Sequence, residues 1–138
     1  MEKEFVYKDL LKKAVDSLPK TMETKDRFSL PDISVVQQGN KTLLKNFGDI
    51  LAVVRRDPKH MSKYLFKELA TRGSVQNNVL TLDTKASKDT LKSKIESYVQ
   101  EFVQCRVCHE PDTKIVKEGR LTLLVCDACG AKSPVKIL

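Results

Sequence analysis

Four cysteines near the C-terminal end of the chain are the side chains whose types and spacing most clearly predict chemistry. They form two Cys-x-x-Cys pairs, Cys105 with Cys108 and Cys126 with Cys129, and seventeen residues separate the pairs. This spacing is typical of a metal site, because two tight turns that each present two thiolates complete a tetrahedron with Zn–S distances of about 2.3 Å. Four thiolates leave no coordination position open. The pattern therefore predicts one structural zinc ion rather than a catalytic one.

The cysteine pattern leaves other chemistries open. A rubredoxin-like iron centre uses four cysteines as well, and a Cys-x-x-Cys pair can act as a redox dithiol. The chain begins without a signal-peptide pattern, and no apolar run approaches the roughly 18–20 residues that span a bilayer, so we expect a cytosolic protein. In that reducing compartment cysteines bind metal more often than they form disulfides. His109 lies beside a ligand, but a set of four cysteines needs no fifth donor, and we expect this histidine at the surface.

Short β-type segments surround the two cysteine pairs. Residues 113–117 and 121–125 flank Glu118-Gly119-Arg120 and predict a hairpin, and residues 133–137 can add a third strand. Gly130 follows the second pair and allows the backbone to reverse there. We therefore expect residues 105–138 to form a separate zinc ribbon, which is too small to fold without its metal.

An amphipathic helix is predicted near the start of the chain, within residues 1–19. Its apolar residues recur at helical spacing and form one stripe, which consists of Tyr7, Leu10, Leu11, Ala14, Val15 and Leu18. Pro19 ends the helix, and the polar residues 20–29 are predicted to be a linker. Because an isolated helix of this length is marginal in water, its stripe needs a surface to cover. That surface is either the chain's own core or a groove on another protein.

The strands of a small core domain are predicted within residues 30–104. Residues 33–36 and 42–44 predict a hairpin around Gly39-Asn40. Residues 75–76 and 79–82 predict a second hairpin around Asn77-Asn78, since asparagine tolerates the positive φ that such turns require.

Three helices are predicted to pack on these strands. Asn46 is the expected N-cap of the first helix, with Asp49 in the position of a capping box. Asp57-Pro58 begins the second, which we expect to end at Gly73. The third starts near Ser87. The apolar stripe of the first helix consists of Phe47, Ile50, Leu51 and Val54. That of the second consists of Met61, Tyr64, Leu65 and Leu69, and that of the third of Leu91, Ile95, Tyr98, Val99, Phe102 and Val103. The expected class is α+β: an N-terminal docking helix, a small α/β core with a mostly antiparallel sheet and packed helices, and a C-terminal zinc ribbon.

The chain is basic and carries no recognisable catalytic motif. Its 138 residues have a formal net charge of +7, which favours anionic partners, although a lysine-rich solvated face would give the same charge. Nucleotide-binding glycine motifs and nucleophile elbows are absent from the sequence, and the two histidines, His60 and His109, lie in no catalytic pattern. We therefore predict a protein that is not an enzyme. The predicted RNA contacts are Arg55, Arg56, Lys59, Lys63, Lys114, Lys117, Arg120, Lys132 and Lys136.

The chain resembles the family of the archaeal translation initiation factor 2 beta subunit. That family shares its core and ribbon with the eukaryotic beta subunit and with the N-terminal part of initiation factor 5. The resemblance rests on an ordered set of segments: residues 7–11, 39–42, 45–47 and 56–69 before the ribbon, and 108–113, 118–120 and 126–132 within it. One departure is Ala70, which stands where many relatives have glycine.

The resemblance implies a subunit of a heterotrimer. In that family the gamma subunit binds GTP, and the complex, which also contains an alpha subunit, carries initiator methionyl-tRNA to the small ribosomal subunit. The resemblance also implies that the beta subunit docks on gamma through its N-terminal helix. This role would fall on Tyr7, Leu10, Leu11 and Ala14. Initiator tRNA, the small ribosomal subunit and mRNA are the RNA partners it implies, with no membrane.

A second function remains open at this stage. The order helix, break, helix and hairpin over residues 46–82 also occurs in winged-helix proteins, and zinc ribbons occur in transcription factors. The second helix offers Lys59, His60, Lys63 and Lys67 to phosphates, but it has no arginine, asparagine and glutamine set suited to base edges. The alternative function is therefore a stand-alone nucleic-acid-binding regulator with poor sequence selectivity.

Overall fold

The computed structural model describes residues 6–18 and 28–138. Within them lie, in order, α1 (Tyr7–Ser17), β1 (Val35–Gln38), β2 (Lys41–Leu44), α2 (Phe47–Val54), α3 (Pro58–Glu68), β3 (Gly73–Gln76), β4 (Val79–Leu82), α4 (Lys88–Phe102), β5 (Thr113–Glu118), β6 (Leu121–Cys126) and β7 (Lys132–Pro134). The predicted α+β class is confirmed. Pro19 and most of the predicted linker lie outside the described residues. No helix in the described parts of the chain combines the length and apolarity needed to cross a membrane.

The core domain contains a four-stranded antiparallel sheet with the order β1-β2-β4-β3. Both predicted hairpins are confirmed, since Gly39-Asn40 joins β1 to β2 and Asn77-Asn78 joins β3 to β4. Asn77 and Asn78 have φ values of 49° and 61°, the left-handed pair that a two-residue hairpin turn requires. The pairing of Leu44 with Leu80 then joins the two hairpins into one sheet.

One hydrophobic core lies between this sheet and the three helices α2, α3 and α4. The strands contribute alternate side chains, because successive residues of a strand point to opposite faces. Among the largest buried side chains are Leu44, Leu80 and Leu82 from the strands and Phe47, Ile50, Met61, Leu65, Leu91, Ile95, Tyr98 and Phe102 from the helices. The same apolar cluster continues into the C-terminal part through Leu124 and Val135.

The ribbon is a three-stranded antiparallel sheet with the order β5-β6-β7. Its hairpin is tighter than predicted, since β5 extends through Glu118 and only Gly119-Arg120 forms the turn. The third strand is shorter than the predicted 133–137. It spans Lys132–Pro134, and one further bond to β6 follows it, in which the Val135 N–H donates to the Thr122 carbonyl oxygen at 3.0 Å.

Asn46 is the N-cap residue of α2, as predicted, but the predicted side-chain cap and the predicted start of the first strand were wrong, for one shared reason. The Asn46 side chain does not cap α2. Its Oδ1 accepts a hydrogen bond from the Ser34 N–H at 3.0 Å, and its Nδ2 donates to the Asp32 carbonyl oxygen. Because these bonds hold residues 32–34 against the α2 entrance, β1 begins only at Val35 rather than at Ile33.

The end of α3 also differs from the prediction. The helix stops at Glu68, and Ala70 has a φ of 47°. The Thr71 N–H donates to the Phe66 carbonyl oxygen and the Ala70 N–H to that of Lys67, which is the hydrogen-bond pattern of a Schellman motif. Gly73 instead begins β3, where a Cβ would collide with the Thr81 carbonyl oxygen across the sheet. The predicted Asp57 cap is confirmed, since Asp57 accepts from the Lys59 N–H. The last helix starts at Lys88, next to the predicted Ser87, and the Ser87 side chain accepts from the Thr90 N–H as its cap.

Candidate metal centre and basic cleft

The four cysteine side chains meet at one point of the ribbon. All four Sγ atoms lie within 4.8 Å of one another, and none is in a disulfide. The Sγ atoms of Cys105 and Cys129 are 3.5 Å apart, as are those of Cys108 and Cys126. A tetrahedron with metal–sulfur bonds of about 2.3 Å has edges of roughly 3.8 Å. The observed spacing therefore fits one tetrahedral metal ion held by sulfur alone.

The two cysteine turns repeat the same backbone hydrogen bonds. In the first turn the His109 N–H donates to the Cys105 carbonyl oxygen at 3.0 Å, and in the second the Gly130 N–H donates to that of Cys126 at 3.0 Å. Both residues have positive φ, 60° at His109 and 73° at Gly130. His109 therefore occupies the same left-handed position as Gly130, and it is exposed, as the sequence predicted.

Backbone N–H groups in these turns point at sulfur. The Val107 N–H donates to Cys105 Sγ at 3.4 Å, and the Cys129 N–H donates to Cys126 Sγ at 3.5 Å. Hydrogen bonds from the Cys108 and Val107 backbone lower the pKa of the Cys105 thiol to about 6. The pKa of the Cys108 thiol in the same turn is raised, by burial and by hydrogen bonds with the other thiols. Because the thiolate is the form that binds metal, the turn prepares Cys105 as a ligand, whereas Cys108 must release a proton when the ion binds.

A basic cleft of about 540 Å³ lies between α3 and the ribbon. Seven of the nine predicted RNA contacts line it, which places residues far apart in the sequence around one space. These seven are Arg55, Arg56, Lys59, Lys63, Lys114, Lys117 and Lys136. The remaining lining consists of Asp57, His60, Ile115, Thr122, Ile137 and Leu138.

The other two predicted RNA contacts lie outside the cleft. Arg120 is in the β5–β6 turn, and Lys132 begins β7. Lys132 Nζ is 3.9 Å from Glu118 Oε1 in an exposed ion pair. Seven of the nine basic residues therefore line the cleft, and the other two do not.

Arg56 differs from the other basic residues of the cleft because its guanidinium donates hydrogen bonds to oxygen atoms of the protein itself. It donates to the Phe102 carbonyl oxygen at 2.9 Å, to the Thr113 carbonyl oxygen at 2.7 Å and to Thr113 Oγ1 at 2.6 Å. Thr113 Oγ1 in turn donates to the Val103 carbonyl oxygen. Burial lowers the pKa of Arg56. This side chain joins the end of α4 to the first strand of the ribbon.

His60 lies at the boundary between the cleft and the aromatic core. Its Nδ1 is 2.9 Å from the Tyr98 hydroxyl, and its ring is 5.0 Å from that of Phe102 in an edge-on arrangement. Burial is the main cause that lowers the pKa of His60, and the charge of Arg56 lowers it further. A neutral imidazole is therefore favoured while the cleft holds no anion.

The predicted partner-binding residues lie on α1. Tyr7, Leu10, Leu11 and Ala14 are exposed, and no residue of this helix is buried. The large apolar side chains of the stripe are 44% to 74% exposed. Nothing in the described parts of the chain covers them.

Sequence reasoning missed two residues of this region. Thr113 accepts a hydrogen bond from Arg56, which lies 57 positions earlier in the chain, and no local pattern indicates that contact. His60 was noticed for its place on a basic helix, but its hydroxyl partner Tyr98 is 38 positions away. Neither pair has the periodicity that marks a helix or strand.

The fold and its two sites define a small α+β protein with a basic cleft and a ribbon whose four cysteines lie close enough to bind one metal ion. A family model, described as a domain found in initiation factors 2B and 5, matches residues 19–132. The translation initiation factor 2 subunit beta of Methanocaldococcus jannaschii is 43% identical over 132 residues, which cover 96% of this chain and 92% of that protein. The subunits of the same name from Methanococcus aeolicus and Methanosphaera stadtmanae are 45% and 42% identical, again over 96% of this chain and over 95% and 93% of those proteins.

The chain therefore belongs to the family of translation initiation factor 2 beta subunits, as the sequence motifs predicted. It is a translation initiation factor subunit of archaeal type.

Proposed function

We propose that this chain is the non-catalytic beta subunit of a heterotrimeric initiation factor that delivers initiator methionyl-tRNA to the small ribosomal subunit in a GTP-dependent manner. The observation that carries the proposal is identity of 42% to 45% over almost the whole chain with subunits that bear the beta name. A beta subunit implies gamma and alpha partners, and its work in this proposal is contact rather than bond-making. We also propose that it acts in the cytosol, where thiols stay reduced and available to metal.

The gamma subunit is the proposed partner of α1. An exposed apolar stripe on a helix loses its unfavourable contact with water when it enters a groove on another protein. Tyr7, Leu10, Leu11 and Ala14 are the proposed contacts, and their exposure supports this role.

The docking proposal is tested by co-elution with the GTP-binding gamma subunit. Leu11→Asp should abolish co-elution, because it buries a charge in an apolar contact. Lys12→Gln is the control, since it alters net charge by the same amount on the same helix. If Leu11→Asp or deletion of residues 1–19 left association intact, docking through α1 would be wrong.

The metal of the ribbon is proposed to be one structural zinc ion. Four sulfur ligands at tetrahedral spacing suit zinc, and with no fifth position the ion would hold the fold rather than activate water. Iron is the other ion that a four-cysteine site accepts. Metal analysis of the purified chain distinguishes the two.

RNA contact is proposed for eight of the nine predicted basic residues, with initiator tRNA, the ribosomal subunit or mRNA as the RNA: Arg55, Lys59, Lys63, Lys114, Lys117, Arg120, Lys132 and Lys136. The ninth, Arg56, makes its hydrogen bonds to the protein itself. The family supports the initiation-factor function over a stand-alone regulator of nucleic acid. High-affinity, sequence-selective binding of duplex DNA by the chain would instead favour the regulator.

A further inference from the structure

Resting on the proposed function, we propose that the cleft between α3 and the ribbon is a two-walled site for the phosphodiester backbone of RNA. The core wall carries Lys59 and Lys63 on α3, and the ribbon wall carries Lys117 on β5. Neither wall alone encloses the space. RNA binding at this site therefore requires core and ribbon together.

The charges of the cleft are strongly one-sided. Lys59, Lys63 and Lys117 have no ion pair with a carboxylate among residues 6–18 and 28–138. The single acidic side chain in the lining, that of Asp57, accepts a hydrogen bond from the Lys59 N–H at 3.0 Å and caps α3. Three ammonium groups around one space repel one another, and a phosphate chain that enters between them relieves that repulsion and releases counterions.

Two further lysines at the ribbon edge can exchange partners. Lys114 Nζ is 3.4 Å from Asp127 Oδ1, and both side chains are about 60% exposed. Lys136 Nζ is 3.3 Å from Glu101 Oε1. Because an exposed ion pair contributes only about 0–1 kcal/mol, the Lys114 ammonium can turn to a phosphate at little cost. Lys136 is 81% exposed and can turn as well, although its partner Glu101 is only 27% exposed.

The size and floor of the cleft suit a polymer of nucleotides better than a single anion. Its volume of about 540 Å³ falls in the range of sites that enclose whole organic ligands. Ile115, Ile137 and Leu138 add apolar surface beside the lysines, which can contact ribose. Phosphates are the dominant anions around an initiation factor, and lysine is a suitable point-charge partner for them. An acidic protein segment is the alternative occupant.

Arg56 is a positioning residue for this site. Its guanidinium spans the Phe102 and Thr113 carbonyl oxygens, and so fixes the first ribbon strand against the end of α4. The distance between the two lysine walls depends on this link. Its role is geometric, because the hydrogen bonds to the protein occupy the group.

The backbone at Arg55 provides a variant that separates binding from stability. Arg55 lines the cleft with a φ of 52°, a conformation that favours glycine. Arg55→Gly removes one cation and relieves the left-handed conformation. RNA affinity should fall several-fold in a protein at least as resistant to urea as the original, so that a folding defect is excluded as the cause.

The decisive experiment measures fluorescence anisotropy of a short fluorescein-labelled RNA duplex of mixed sequence, titrated with the zinc-loaded full chain over a salt series. The double variant Lys63→Gln/Lys117→Gln removes one cation from each wall. Its affinity should fall roughly tenfold or more at low salt, and the slope of log Kobs against log[salt] should decrease by about 2. The matched control is Lys67→Gln/Arg106→Gln, which removes one charge from α3 and one from the ribbon; neither residue lines the cleft or is a proposed RNA contact.

Equal losses of RNA affinity in the two double variants would overturn the proposal, because net charge alone would then explain binding. Unchanged RNA affinity in both variants would overturn it as well. Displacement of the RNA by poly-glutamate as effectively as by unlabelled RNA would assign the cleft to an acidic protein segment instead. Gamma-subunit co-elution is measured on the same samples. Retained co-elution with no cleft effect rejects only the RNA site, whereas failure of the original chain to bind gamma rejects the proposed function itself.

Discussion

The Arg56 guanidinium is joined to Thr113 by two hydrogen bonds, 2.7 Å from Nη1 to the carbonyl oxygen and 2.6 Å from Nη2 to Oγ1. These bonds link the α2–α3 connection to the first strand of the ribbon. They are charge-assisted and partly buried, which makes them stronger than bonds between neutral groups.

Replacement of Arg56 by lysine is expected to weaken this link although the charge is retained. Lysine has no planar fork, so it cannot serve the Phe102 and Thr113 oxygens together. The free energy of unfolding should fall by about 2 kcal/mol, on the scale of a hydrogen bond to a charged group. Urea unfolding measures it. Arg55→Lys is the control and should change stability by less than about 0.5 kcal/mol; equal effects at both positions would contradict the link.

Removal of the metal is expected to unfold the ribbon before the core. Without a cation the four sulfur atoms no longer hold the two cysteine turns together, and so small a sheet buries too little surface to persist. Metal analysis should give one zinc per chain. On chelation, the amide signals of Ile115 and Leu124 should lose dispersion while those of Leu44 and Leu80 stay. Cys108→Ser should lose zinc and His109→Gln should keep it; an iron content or an unchanged ribbon spectrum would contradict this assignment.

His109→Gly is expected to stabilise the first cysteine turn. The residue has a φ of 60°, which costs an L-residue roughly 1 kcal/mol and costs glycine little. Part of that gain is offset by the greater entropy of glycine in the unfolded chain, so we expect about 0.5 kcal/mol.

The reciprocal change, Gly130→Ala, should destabilise the second turn by about 1 kcal/mol. A Cβ there meets no heavy atom within 4 Å, so only the φ of 73° opposes it. Urea unfolding of the zinc-loaded chain measures both variants. Effects of the same sign would contradict the equivalence of the two positions.

Ala70→Gly is expected to raise the free energy of unfolding by about 0.5 kcal/mol or more. Ala70 occupies the left-handed position of the Schellman motif that ends α3, where glycine has no Cβ penalty. Ala52→Gly, in the exposed face of α2, is the control and should lower stability by about 1 kcal/mol. Destabilisation by both substitutions would show that the turn does not strain alanine.

His60 is expected to make stability depend on pH below neutrality. Burial first, and then Arg56, lower its pKa, so the unfolded chain binds the proton more tightly than the folded one. Stability should therefore be lost as pH falls through the unfolded value of about 6.5 toward the lower folded pKa. His60→Gln keeps a polar group near the Tyr98 hydroxyl but does not titrate. As the pH falls, the urea midpoint of the original chain should decrease more than that of the His60→Gln variant. A constant difference between the two midpoints would contradict the prediction.

The sequence by itself determined the features that rest on neighbouring residues. Two Cys-x-x-Cys turns, the Asn77-Asn78 hairpin and the Asp57 cap each depend on a few consecutive side chains and their backbone, and all are found where the sequence predicted them. The motifs also identified the family. Local steric and hydrogen-bonding preferences are sufficient for features of this kind.

Only the tertiary structure decided which distant residues meet. Asn46 reads as a helix cap from its neighbours, but two backbone partners twelve and fourteen positions earlier bind its side chain instead. The sequence predicts Arg56 to be one more basic surface residue, yet its guanidinium donates hydrogen bonds to Thr113 and Phe102. The cleft has the same origin, because its walls come from α3 and the ribbon. Packing of the shared apolar core brings them together, and no periodicity in the chain records that contact.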